Sequence, residues 1–180
     1  MRNHIAKRSL LTVIAAAAAM LSVLGGSGVA HAGTVAQVGN SSVIAVKGPG
    51  NSLDFYYQPI GATTWSAPQV VPGPGAFSAP SVAQVGNSSV IAVEGPDNSL
   101  NFYYQPIGAG GWTPETAGDP GTTFSAPSVA QVGSSSVISA AGPDGSLDFY
   151  YQPIGAIPWH CEDVTRLFGT SECLGVSSTG

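Results

Sequence analysis

Three tryptophans, Trp65, Trp112 and Trp159, recur at one place in a repeated pattern, each a few residues after a Tyr-Tyr-Gln-Pro-Ile-Gly segment. A tryptophan in such a loop or edge position can stack on the apolar face of a pyranose, or wedge between packed layers. The run before each one reads Leu-x-Phe-Tyr-Tyr-Gln, at 53–58, 100–105 and 147–152. Strand alternation puts Leu53, Phe55 and Tyr57 on one face and Asp54, Tyr56 and Gln58 on the other. Leu100/Phe102/Tyr104 with Asn101/Tyr103/Gln105, and Leu147/Phe149/Tyr151 with Asp148/Tyr150/Gln152, are the counterparts. The Leu/Phe/Tyr face reads as packing. The other face sets aromatic rings beside hydrogen-bonding groups, as a neutral sugar requires, and can equally pack with its tyrosine hydroxyls on polar partners. The candidate ligand-binding residues are therefore Trp65, Trp112, Trp159, Tyr56, Tyr103, Tyr150, Gln58, Gln105 and Gln152.

Catalysis finds no comparable set. Asp54 and Asp148 give way to Asn101 in the middle copy, and Asp97 and Asp144 to Gly50 in the first. No second carboxylate keeps a fixed offset that would make an acid/base pair. His160 is the one histidine after His31, and no G-x-S-x-G elbow occurs. The residues thus point away from an enzyme and call for no cofactor. The segments GPGN, GPDN and GPDG are turn chemistry, short of the oxygen ligands a calcium loop needs. Cys161 and Cys173 read as a disulfide in an exported chain. With His160 they could instead begin a metal site, but no fourth ligand or C-x-x-C pair accompanies them. Asn40-Ser41-Ser42 and Asn87-Ser88-Ser89 match a glycosylation acceptor, lost at Ser134.

Arg2, His4, Lys7 and Arg8 precede an apolar, alanine-rich stretch over 9–24, and small residues end in Ala30-His31-Ala32. This is the plan of a secretory signal peptide over 1–32, too short in its apolar part for a membrane span. The expected product is secreted, begins at Gly33, and has no membrane span once cleaved. It keeps two cations, Lys47 and Arg166, against ten acidic residues, a formal net charge of −8. Such a chain has no basic patch for nucleic acid.

The elements that must position these residues repeat with a period of 47. VAQVG begins at Val35, Val82 and Val129, and the first two copies (35–81 and 82–128) agree at 31 of 47 positions. The third, 129–159, matches the second at 23 of 31, and 160–180 is a divergent tail. In the second copy, strands are expected at 82–85, 89–93 and 100–105, with a weaker fourth around Trp112 and Thr113. Glycine, proline and asparagine separate them. The reading is an all-β chain of β-propeller-type repeats, three four-stranded blades in all. A β-sandwich or β-prism is the rival arrangement. Closed propellers carry about four to eight blades, so two chains are expected to form a six-bladed dimer, the alternative being a fragmentary gene product. After Trp159 the chain either ends the array or uses Val164, Leu167 and Phe168 as a cap.

The pattern SVIAVxGPxxSLxFYYQPIG...W, over residues 35–159, resembles blades of bacterial and fungal sugar-binding β-propellers, including the tectonin-like and fucose-binding lectin groups. More closely, it is similar to repeats in exported actinobacterial proteins. The resemblance implies a lectin-like, carbohydrate-binding protein, with Trp65, Trp112 and Trp159 at the positions of the sugar-stacking tryptophan. Fucose-binding members add an arginine and an acidic residue, and no repeat here contains an arginine. Neutral glycans held by tyrosine, glutamine or backbone groups are the partners that remain, rather than fucose or sialate. A structural or protein-interaction propeller is the alternative.

Overall fold

Each repeat opens on a hairpin whose two-residue link, Gly39-Asn40, Gly86-Asn87 or Gly133-Ser134, starts with a glycine at φ of 55°, 56° or 58°. That left-handed conformation is costly for a residue with a Cβ and sets the register of everything after it. The computed structural model describes residues 33–166 and residue 173. The leader, Leu167 and Phe168 lie outside the described residues. The first repeat contains β1 (Thr34–Val38), β2 (Ser41–Lys47), β3 (Leu53–Pro59) and β4 (Gln69–Val70). The second contains β5 (Ser81–Val85), β6 (Ser88–Glu94), β7 (Leu100–Pro106) and β8 (Thr113–Gly118). The third contains β9 (Ser128–Val132), β10 (Ser135–Ala141), β11 (Leu147–Pro153) and β12 (His160–Asp163). Each set is a separate four-stranded antiparallel sheet in chain order. Among the described residues, no helix is long and apolar enough to cross a membrane.

The second turn explains the repeated Gly-Pro-x-x-Ser. The amides of Gly48, Gly95 and Gly142 donate to the carbonyls of Ser52, Ser99 and Ser146 at 2.8, 2.8 and 3.0 Å. A Cβ on Gly95 would sit 2.3 Å from Asn101 Nδ2 and 2.4 Å from Ser99 Oγ, and the other two glycines are equally crowded. The proline ending β3, β7 and β11 has no N–H to extend the ladder. The fourth strands are the variable part. β4 is two residues long, and β8 shifts register between Leu100 and Asn101. β12 runs through the segment set apart by sequence as a tail, because the free edge of β11 pairs Tyr150 with Cys161. The Cys161–Cys173 disulfide ties that strand to the following chain.

Directly paired residues share a face, so each sheet has a front (Leu53, Phe55, Tyr57 and counterparts) and a back (Asp54, Tyr56, Gln58 and counterparts). The front of sheet one (Val43, Ala45, Leu53, Phe55) packs on the back of sheet two (Val82, Ile91, Val93, Tyr103). The front of sheet two (Val90, Leu100, Phe102) packs on the back of sheet three (Val129, Ile138, Tyr150) in the same way. Polar staples repeat with the same offset. Val82 N–H donates to Thr34 Oγ1 at 2.8 Å, and Val129 N–H to Ser81 Oγ at 3.1 Å. Gly39 N–H donates to Gln84 Oε1, and Gly86 N–H to Gln131 Oε1, both at 2.8 Å.

Candidate functional site

The tryptophans sit at these junctions. Trp112, in the second repeat, meets Phe55 of the first edge-to-face, with ring centroids 5.0 Å apart. Trp159 meets Phe102 in the same manner at 4.9 Å. Each therefore closes the junction with the preceding sheet as a wedge. Trp65 occupies the same slot in the first repeat and is half-buried. Tyr103 and Tyr150 are buried between sheets, and burial pushes their hydroxyl pKa values up. Tyr56 lies on the back of sheet one, which no other described sheet covers, half-buried, and its pKa is raised by burial and by Asp54. Gln58 and Gln105 are half-buried and Gln152 is buried.

The two internal junctions differ at one position that simple periodicity does not align. Gln69 pairs with Phe55 across the first sheet, Glu115 with Phe102 across the second, and Glu162 with Phe149 across the third. Between sheets two and three, Glu115 Oε2 accepts from Trp159 Nε1 at 3.2 Å and from Gln152 Nε2 at 3.4 Å. That carboxylate holds both sequence-predicted groups against each other. Between sheets one and two the position is Gln69. Trp112 Nε1 there is buried without a hydrogen-bond partner among the described residues, an arrangement native proteins seldom leave unanswered.

Two adjoining clefts of about 290 and 330 Å³ open at this first junction, sharing Gln69 and Gln105. Tyr57, Ser41 and Ser89 line the first, and Trp112 lines the second. Among the described residues, no charged side chain lines either one. Two amides, a phenol, two hydroxyls and an indole can donate to and accept from a neutral polyol. Gln105 and Trp112 are thus brought together from the sequence-predicted set. Gln69, Tyr57, Ser41 and Ser89 join them without having been singled out. Tyr57 comes from the face read as packing, whose last ring reaches the rim of the sheet.

At the far end, β12 alternates His160 and Glu162 to the front and Cys161 and Asp163 to the back. His160 stacks on Tyr151, centroids 5.1 Å apart, so it and the disulfide do not converge. The buried Asp148 carboxylate lies beside the disulfide and accepts from Ser146 Oγ at 2.8 Å. Burial raises its pKa, assisted by Asp163 and Asp144. The pKa of Asp163 is lowered, chiefly by the Thr165 hydroxyl, with Arg166 Nε 2.8 Å from its carboxylate. These two groups act oppositely on stability. The Asp148 penalty is absent in acid, where the group is protonated folded or unfolded, and develops as pH rises through and above about 4. The Asp163 contribution is complete at neutral pH and is lost as pH falls through its lowered value. Asp148→Asn, which copies Asn101, should therefore raise the melting temperature at pH 7, and the gain should vanish near pH 3. Thermal melts over that interval check this; a gain independent of pH would refute a charge origin.

No family model matches the chain, and no curated protein does. Among solved structures the chain is similar to the BP39L lectin from Burkholderia pseudomallei, with a TM-score of 0.58 and 21% identity. The match covers 71% of this chain and 39% of that one, so the chain spans well under half of the lectin's length. The shared property is the fold: three consecutive four-stranded sheets arranged as in one part of a longer lectin chain.

Proposed function

We propose that the chain is a secreted, non-catalytic carbohydrate-binding protein of β-propeller type, which takes a neutral glycan in the cleft between its first and second sheets. The observation carrying this reading is the lining of that cleft, where Gln69 and Gln105 stand beside the Trp112 ring and the described lining residues include no charged side chain. A sugar hydroxyl can accept from the two side-chain amides while donating to their oxygens. The fold shared with a lectin supports the same reading, and the leader and disulfide support export. A closed propeller needs further sheets, and a homo-oligomer is the source this reading takes for them.

Isothermal titration of the mature protein with glycans chosen from an array tests the reading. Gln105→Ala and Gln69→Ala should each weaken binding roughly tenfold, the worth of one or two hydrogen bonds, with little change in melting temperature. A folded protein that binds no glycan would leave the second reading, a structural or protein-interaction propeller. The packing of Trp112 and Trp159 on phenylalanines favours that one.

A further inference from the structure

The same repeat position has different exposure in different sheets, and the differences fall on two faces. Val82 and Val129, on covered backs, are each 6% exposed, whereas Val35 on the back of sheet one is 66% exposed. On the fronts the order reverses. Val38 and Val85 are 4% exposed against 61% for Val132, and Leu53 and Leu100 are at most 1% exposed against 46% for Leu147. The back of sheet one and the front of sheet three are thus the two halves of a junction that the chain already makes twice. Their apolar residues have the identities that are buried at the internal junctions.

We propose that a second copy of this chain docks head to tail, the back of its first sheet on the front of the first copy's third sheet. This rests on the propeller reading above and names the surface that closes it. The polar groups are complementary as well. Glu162 occupies the place of Glu115, and Gln58 and Trp65 occupy the places of Gln152 and Trp159, whose N–H groups Glu115 accepts. Across the new junction, Gln58 and Trp65 donate to Glu162, and the Trp65 ring meets Phe149. Val35 N–H reaches Ser128 Oγ, as Val82 and Val129 reach Thr34 and Ser81. Gly133 N–H reaches Gln37 Oε1, as Gly39 and Gly86 reach Gln84 and Gln131. The contact is heterologous, and two copies close it by satisfying both of their ends.

Sedimentation equilibrium of the mature chain should give one species of twice the chain mass. Two variants test the pairing of unlike faces: Val35→Asp blocks the head and Leu147→Asp blocks the tail. Each alone should be a folded monomer by circular dichroism, and an equimolar mixture should form a heterodimer through the one intact junction. Glu162→Ala should raise the dimer dissociation constant roughly tenfold or more, as removing a shared charged acceptor does. A wild-type monomer at every concentration, whether or not its own terminal residues cover the faces, overturns the proposal. So does either blocked variant dimerising alone. The cleft of the first junction lies within one copy, so a monomer that binds glycan refutes the dimer and spares the binding reading. A dimer that binds none does the reverse.

Discussion

Trp112→Ala is expected to lower stability by about 3–5 kcal/mol, the cost of emptying a large buried aromatic site. The indole fills the junction between two sheets and meets Phe55 edge-to-face, a geometry that adds to the area it removes from water. Its loss widens the cleft it lines, whose walls are strands of two sheets each held by its own ladder, so the site has little freedom to collapse. Urea denaturation followed by tryptophan-independent circular dichroism measures the effect. A loss of only about 0.5 kcal/mol, as for a surface substitution, would identify the ring as an exposed platform and sink the wedge assignment. Trp65→Ala provides the contrast. It removes the same side chain from the same slot, where no phenylalanine among the described residues meets it, and should act on the dimer constant.

Ile91→Ala is expected to cost about 2–5 kcal/mol, because Ile91 is fully buried between the first and second sheets. Ile44 is the same residue in the same strand position, half-buried on the uncovered back of sheet one. Its replacement should cost markedly less in a dilute monomer, and the gap should narrow as protein concentration rises and the face is covered. Equal costs at high dilution would show that the repeat stabilises each sheet from within rather than through its neighbours.

Much of this architecture was legible because the repeat states its turns in glycine and proline. Strands expected at 82–85, 89–93 and 100–105 run over 81–85, 88–94 and 100–106. The assignment of faces was less legible. Both sides of β3, β7 and β11 carry aromatics, and a strand covered on both sides gives no polar alternation to say which side meets which neighbour. Tyr103 and Tyr150 therefore read as candidate ligands until their burial between sheets is seen. Gln69 was hidden for a different reason. A period of 47 aligns Glu115 with Pro68, and only the ladder opposite Phe55 brings Gln69 into register with Glu115 and Glu162. The repeat thus announces its conserved letters, while the position separating an open junction from a sealed one lies in the segment where the copies diverge.

That single divergence sets a number. Repeated sequence promises repeated sites, yet at one internal junction a carboxylate already accepts from the tryptophan and glutamine N–H groups, and another would do so at the proposed junction between copies. Glutamine leaves one junction open, so the expected stoichiometry is one glycan per chain. In a closed pair the symmetry axis is the ring axis, which places both glycans on the same rim. Such a ring is bivalent and faces one way. It would grip two chains of a single surface far more readily than it would bridge two surfaces, and its avidity would depend on how densely that surface displays its sugars.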